Sequence, residues 1–203
     1  MLLDTIETNE KKIAFTFDDG PDPKFTEQIL HLLEAANAKA TFFMIGEHIK
    51  KFPSIAEKVY RNGHELANHT YSHCNLAEQD AQEVRTELLK AEECITSITG
   101  KKPASFRPPF FSYNENTLKI VEEFGYHTIG AANLDARDWD TPGVQIIYEE
   151  SKKAIKNGAI FIFHDGLGDR SQTVEAVGKL IHTCIEQGYQ LVTVEELLAS
   201  TLK

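Results

Sequence analysis

Short apolar runs alternate with amphipathic stretches along almost the whole chain. The first run, Ile13 to Phe17, mixes β-branched, aromatic and small side chains and predicts a buried strand. Phe25, Ile29, Leu32, Leu33 and Ala36 then recur at helical spacing and predict a helix over 24–36. Ala40 to Gly46 reads as a second buried strand. A short polar helix over 47–51 is interrupted by Pro53, and a further helix over 54–62 is stopped by Gly63. Glu65 to Asn68 predicts a short strand, and Leu76 to Ile98 one long helix closed by Gly100 and Pro103. Ser105 to Phe110 must be extended, because Pro108 and Pro109 forbid helix there. Asn114 caps a helix that ends at Gly125, and Tyr126 to Ala131 predicts another strand. Helices over 144–156 and 172–187 flank the apolar strand Ala159 to Phe163. Gln190 to Val194 and Glu195 to Ser200 supply a last strand and helix.

This regular alternation, with no repeat, linker or low-complexity segment, indicates a single α/β domain with a largely parallel sheet. In such folds the strand C-termini share one face, and that face carries the site. The polar clusters fall where strands end, near positions 17, 68, 106, 131 and 163.

Composition narrows the function. The 203 residues include 41% hydrophobic side chains, enough for a proper core. A formal net charge of −10 argues against non-specific nucleic-acid binding and against an anionic membrane surface, while leaving a neutral or cationic polymer as substrate. No apolar run approaches membrane-spanning length, so membrane insertion is not expected. The N-terminus has no basic start followed by an apolar core, so no secretory signal is expected and the placement is cytoplasmic. Cys74, Cys94 and Cys184 are an odd number without paired spacing and read as reduced thiols.

The candidate chemistry lies in the clusters. Asp18 and Asp19 end the first strand, and side chains alternate along a strand, so the two carboxylates point in different directions and suit two different jobs. His69 and His73 are four apart, a spacing that puts both imidazoles on one side of a helical turn. With either Asp18 or Asp19 they form an N,N,O set suited to one divalent metal such as zinc, with a coordination position left for an acidified water. The remaining carboxylate can act as base. His164 ends a buried strand and needs a partner, and imidazole titrates near working pH, which suits a general acid. Arg107, in a rigid Pro-rich segment, suits a salt bridge to a catalytic carboxylate. Asp135 and Asp138 are candidates to orient His164 or Arg107. Trp139, the only tryptophan, reads equally well as core or as a platform for a sugar ring.

Together these residues resemble the polysaccharide deacetylases with a NodB-type domain, carbohydrate esterase family four. Five ordered motifs carry the resemblance: Thr16-Phe17-Asp18-Asp19-Gly20-Pro21, His69-Thr70-Tyr71-Ser72-His73, Arg107-Pro108-Pro109-Phe110, Asp135-Ala136-Arg137-Asp138-Trp139 and Ile162-Phe163-His164. The resemblance implies a distorted (β/α) barrel over residues 11–203, preceded by a ten-residue N-terminal extension. It also implies hydrolysis of N-acetyl groups on N-acetylglucosamine units of peptidoglycan or chitin-like oligomers. By family role Asp19, His69 and His73 hold the metal, commonly zinc, with cobalt or another divalent ion as alternatives. Asp18 is then the base that activates the metal-bound water, and Arg107 keeps it in place. Phe110 offers a backbone N–H to the oxyanion. His164, tuned by Asp138, protonates the leaving amine, and Trp139 and Ile162 shape the pocket. One position departs from the family pattern, Phe111 where glycine is usual. That departure and the missing signal keep open a hydrolase of another small or cyclic amide. A metal-retaining glycan-binding domain without catalysis is the non-enzyme alternative, against which the presence of Asp18 and His164 argues. The oligomeric state is left open.

Overall fold

A computed structural model describes residues 2–201. In chain order the main elements are β1 (Lys12–Asp18), α1 (Phe25–Ala35), β2 (Thr41–Met44), α2 (Gly46–Lys51), α3 (Pro53–Arg61), β3 (Glu65–Asn68), α4 (Ala81–Thr99), β4 (Ser105–Phe106), α5 (Glu115–Glu123), β5 (His127–Thr128), α6 (Val144–Lys153), β6 (Ile160–His164), α7 (Ser171–Glu186), β7 (Gln190–Val192) and α8 (Val194–Ala199). All pairings between these strands are parallel, in the order β5-β4-β3-β2-β1-β6, with β7 alongside the first half of β1. The sheet curls into a partial barrel with helices around it, the distorted (β/α) barrel expected from the sequence.

The alternation of β1 decides which side chains reach the barrel interior. Ile13, Phe15 and Phe17 belong to the main core, which includes buried side chains of α1 and α7. Their rings stack across strands, Phe17 on Phe42 at 5.1 Å and Phe15 on Phe161 at 5.3 Å. Each such buried side chain contributes about 1.5–3 kcal/mol. Ala14 instead joins Phe43, Ala67, Ile129 and Ile160 in a smaller cluster inside the barrel. Thr16 and Asp18 share the phase of Ala14, so the register of β1 carries both to the interior.

The N-terminal segment does more than precede the domain. Leu3 N–H donates to Thr128 O at 2.9 Å, Gly130 N–H donates to Leu3 O at 2.8 Å, and Ile160 N–H donates to Asp4 O at 3.0 Å. Residues 3 and 4 therefore bridge the gap between the β5 and β6 sides and satisfy backbone groups of both edges.

Three stretches differ from the sequence expectation. The first, Ser105 to Phe110, is a strand only over Ser105–Phe106 and enters a 3₁₀ turn at Pro109–Phe111, since Pro109 stands at the start of the turn where a missing N–H costs nothing. The long helix over 76–98 is a single 3₁₀ turn, Leu76–Glu78, followed by α4 from Ala81. Asp80 causes the break: it accepts from Gln82 N and Glu83 N, while the Glu83 side chain accepts from Asp80 N. The strand over 126–131 shrinks to His127–Thr128, because beyond Thr128 the neighbouring chain is only the short N-terminal segment.

Candidate active site

The five clusters converge at the strand C-termini around a cavity of about 440 Å³. Asp18 lies inside the barrel and is almost fully buried. Asp19 leaves the strand with φ 76°, so its carboxylate turns toward the histidines instead. The two adjacent aspartates do separate as expected, but the left-handed backbone at Asp19, outside the strand, turns its carboxylate, rather than strand alternation.

Arg107 is fully buried, and its guanidinium organises the Asp18 side. Nη1 donates to Asp18 Oδ1 and to Thr16 Oγ1, both at 2.7 Å, Nη2 to Gly130 O at 2.7 Å, and Nε to Ile129 O at 3.3 Å. The cation also lies 4.3 Å from the Phe43 ring centroid. Burial pulls the Arg107 pKa down, and the Asp18 charge and hydrogen bond oppose that pull. Asp18 Oδ2 faces His69 Nε2 at 3.8 Å.

His69 and His73 do meet, with ring centroids 5.0 Å apart, but not on a helical turn. Residues 69–73 form a loop in which Thr70 and His73 have φ of 68° and 59°. Side chains build that loop: Asn68 Oδ1 accepts from Thr70 N, Thr70 Oγ1 accepts from His73 N, and Glu87 Oε2 accepts from Tyr71 N and Ser72 N. His69 Nδ1 donates to Arg107 O at 2.8 Å, which fixes the tautomer and leaves the Nε2 lone pair for the cluster.

Asp19 Oδ1 lies 3.5 Å from His69 Nε2 and 3.1 Å from His73 Nε2. Although buried, this oxygen has no aligned hydrogen-bond donor. Burial works against its charge, while His69, His73 and the field of His164 hold its carboxyl well below the usual range. An ionised, orphaned carboxylate oxygen facing two imidazole nitrogens is the donor set of a divalent cation, and all three ligand atoms lie within 4.8 Å of one another. The residues fit such an ion.

His164 stands across the cavity. Its Nδ1 donates to Asp138 Oδ1 at 2.8 Å, while Asp138 Oδ2 accepts from His164 N and from Thr173 Oγ1. Burial opposes the imidazolium, but Asp138, with smaller help from Asp18 and Asp19, pushes the His164 pKa up to about 9. Trp139 stands edge-on to His164, with centroids 5.7 Å apart, and Ile162 lines the cavity beside it.

Phe110 and Phe111 both have positive φ, 58° and 49°. Phe111 N and Ser112 N donate to Pro108 O and Pro109 O, whereas Phe110 N–H meets no acceptor among the described residues. The Phe110 ring is 70% exposed and packs on His73 at 4.6 Å. Phe111 holds the left-handed conformation that glycine takes without strain, at a cost of about 1–2 kcal/mol.

Asp135 is not brought to the site. It is exposed, and Asp138 alone orients His164. Sequence reasoning missed four residues. His48 Nδ1 donates to Asp19 O at 2.7 Å and braces the turn. Arg170 and Leu167 line the cavity. Asp165 is fully buried; its Oδ2 accepts from Thr26 Oγ1 at 2.6 Å and its Oδ1 has no partner. Burial, together with Asp19 and Asp18 nearby, pushes its pKa up to about 7. The one available signal was its position directly after His164.

A curled parallel barrel with an Asp-His-His cluster at its strand ends defines a carbohydrate esterase of family four. The Polysaccharide deacetylase family model matches residues 5–129, and the chain belongs to that family. It is 41% identical to a peptidoglycan-N-acetylglucosamine deacetylase of Bacillus cereus, over 95% of this chain and 91% of that protein. It is 31% identical to a chitooligosaccharide deacetylase of Azorhizobium caulinodans, over 92% of this chain and 94% of that one. Among solved structures it superposes on the Bc1960 peptidoglycan N-acetylglucosamine deacetylase, in complex with 4-naphthalen-1-yl-N-oxidanyl-benzamide, with a TM-score of 0.91. That match has 33% identity and covers 97% of this chain and 92% of that one.

Proposed function

We propose that this protein is a metal-dependent N-deacetylase that releases acetate from N-acetylglucosamine units of peptidoglycan or chitin-like oligomers. The observation that carries the reading is the pairing of two opposed units across one cavity: Arg107 with Asp18 on one side, Asp138 with His164 on the other, and the orphaned Asp19 oxygen between them. Asp19, His69 and His73 would hold one divalent ion, zinc or a related metal, which when bound supplies Lewis-acid polarisation of the amide carbonyl and a more acidic water.

The chain's own residues supply the proton handling. Asp18 has one oxygen fixed by Arg107 and keeps the other free to take the proton of the attacking water. His164 is protonated at neutral pH, and with Nδ1 engaged by Asp138 its Nε2–H is the donor to the leaving amine. The Phe110 N–H offers a bond to the developing oxyanion. Trp139 and Ile162 present apolar surface to the sugar and the acetyl methyl.

The test is acetate release from N-acetylglucosamine oligomers by chelator-stripped protein reloaded with zinc or cobalt, beside Asp18→Asn. Metal-dependent release that the variant loses is expected. Stoichiometric metal binding without release from any such glycan would remove the reading.

A further inference from the structure

The cavity wall contains one cation whose presence the proposed chemistry does not explain. Arg170 is 6% exposed, and no carboxylate lies within ion-pair distance of it among the described residues. A buried guanidinium without an anion is costly unless carbonyl oxygens receive its hydrogens. Here Nε donates to Gly166 O at 2.8 Å and Nη2 to Leu167 O at 2.8 Å, both on the loop after His164, and Nη1 reaches Trp139 O at 3.5 Å. One side chain therefore ties together the two loops that carry Leu167 and Trp139.

The loop is pinned at its other end as well. A Cβ on Gly166 would lie 2.2 Å from Asp19 O, so the loop packs directly on the turn of the Asp-His-His cluster. Between these two anchors Leu167 has φ 53°, a conformation disfavoured for any residue with a Cβ. Its side chain lines the cavity and is 50% exposed. A large apolar side chain held in a strained conformation at a cavity mouth is a placement that folding alone does not require.

Resting on the deacetylase reading above, we propose that Leu167 is a specificity-determining residue that limits the size of the acyl group, and that Arg170 is the positioning residue that fixes it against Trp139. Asp18, Asp19, His69 and His73 line the cavity together with two apolar groups, Pro108, Phe110 and Phe111 beside His73, and Trp139, Ile162 and Leu167 on the side of His164. With the carbonyl drawn to the Asp19, His69 and His73 side and the leaving nitrogen toward His164, the proposed binding mode places the alkyl group among Trp139, Ile162 and Leu167. A wall braced by two short carbonyl hydrogen bonds within its own loop and a longer one to Trp139 O resists retreat before a longer chain, and one methylene in such a pocket alters selectivity about 10–200-fold.

The experiment compares kcat/KM for N-acetyl and N-propionyl glucosamine oligomers in wild type, Leu167→Ala, Arg170→Met and Arg170→Lys, with Tm recorded for each. Wild type is expected to favour acetyl at least tenfold. Leu167→Ala and Arg170→Met should narrow that preference at least fivefold, mainly through a lower KM for the propionyl substrate, and Arg170→Lys should fall between them and wild type. A general loss of order would lower both rates and leave the ratio alone. If the ratio is unchanged in Leu167→Ala, which alters an exposed side chain and should fold, the proposal is overturned. Wild type that releases neither acyl group removes the deacetylase reading and this proposal together, an outcome distinct from an unchanged ratio.

Discussion

At the mouth of the barrel where strands begin, Glu65 is buried and accepts from Thr41 Oγ1, Ser105 Oγ and Glu195 N at 2.7 to 2.9 Å. Burial pushes its pKa up, toward the neutral form. His64 beside it accepts from Ala40 N through Nδ1, and burial lowers its pKa to about 4. At the opposite mouth, where strands end, Asp19 is held ionised and His164 is held protonated despite similar burial. Both mouths contain ionisable groups out of water, but only one keeps them charged. The first mouth needs polar groups that are satisfied and quiet. The second keeps opposite charges a few ångströms apart and leaves hydrogen-bonding capacity open, as on Asp19 Oδ1 and Phe110 N–H, which suits a reaction that moves protons. Backbone strain leans the same way: of the nine non-glycine residues with positive φ among the described residues, Asp19, Thr70, His73, Phe110, Phe111 and Leu167 border the second mouth, while Asn37 lies near His64 at the first.

If charge at the second mouth is functional, removing it should cost rate more than it costs fold. Asp18→Asn is the largest case: kcat should fall by about 10²–10⁴, the range for a positioned general base. Arg107 is then left buried without its anion, so some stability is lost too. Retained deacetylation would break the division. Asp138→Asn comes next, with a loss of about 10² in kcat. It also carries a sharper signature. Against the pull of burial, the charge and hydrogen bond of Asp138 together with the charges of Asp18 and Asp19 hold the His164 pKa near 9, and a general acid here works only while protonated. The alkaline limb of the pH–rate profile should therefore move to lower pH in the variant.

Asp165 is the group that crosses the division. It lies at the charged mouth, yet burial pushes its pKa up to about 7, and one of its oxygens has no partner. A folded-state value above the unfolded 3.8 means that its contribution to stability is intact below pH 3.8 and is lost as pH rises through about 7. Asp165→Asn removes that dependence while keeping an acceptor for Thr26. In metal-free protein the variant's Tm relative to wild type should rise between pH 5 and pH 8, with the free-energy difference growing by up to about 3 kcal/mol across that window. A flat difference across that range would mean that water or local opening already solvates the carboxylate.

The division was unevenly legible in the sequence. Strand ends followed from periodicity, a local property. Residue chemistry offered an Asp-His-His set but left Asp18 and Asp19 equal candidates, and the family resemblance chose Asp19. The left-handed turn that separates the two carboxylates carried no local pattern. The His69–His73 approach was expected for the wrong local reason. Glu87, far along the chain, shapes that loop, and no spacing rule points to it. The break before α4 was readable, since Asp80-Ala81-Gln82-Glu83 is a capping-box pattern inside an apolar periodicity that masked it. Arg170 and Asp165 were opaque. Their importance comes from what tertiary packing denies them, an anion for one and a second hydrogen-bond donor for the other.

The smallest expected effect tests the quiet mouth. Glu65→Gln keeps the shape and removes the ability to ionise. Glutamine Oε1, placed where Glu65 Oε2 stands, still accepts from Thr41 Oγ1 and Glu195 N. Its Nε2 donates to Ser105 Oγ, whose hydroxyl rotates from donor to acceptor. Thr41 Oγ1 continues to accept from Val194 N, so the link to α8 survives. One hydrogen bond changes direction and none is lost, which limits the stability change to about 1 kcal/mol. The raised Glu65 pKa sets the sign. Ionisation penalises the folded wild type increasingly as pH rises above 4.5, so the variant should gain on wild type from acid toward neutral pH. Deacetylation should stay within about twofold of wild type, since a carboxyl closed by three donors does not couple to distant proton transfers. A tenfold loss of activity with an unchanged Tm would show that the two mouths are one electrostatic unit, and that the separation of quiet from charged burial does not hold in this barrel.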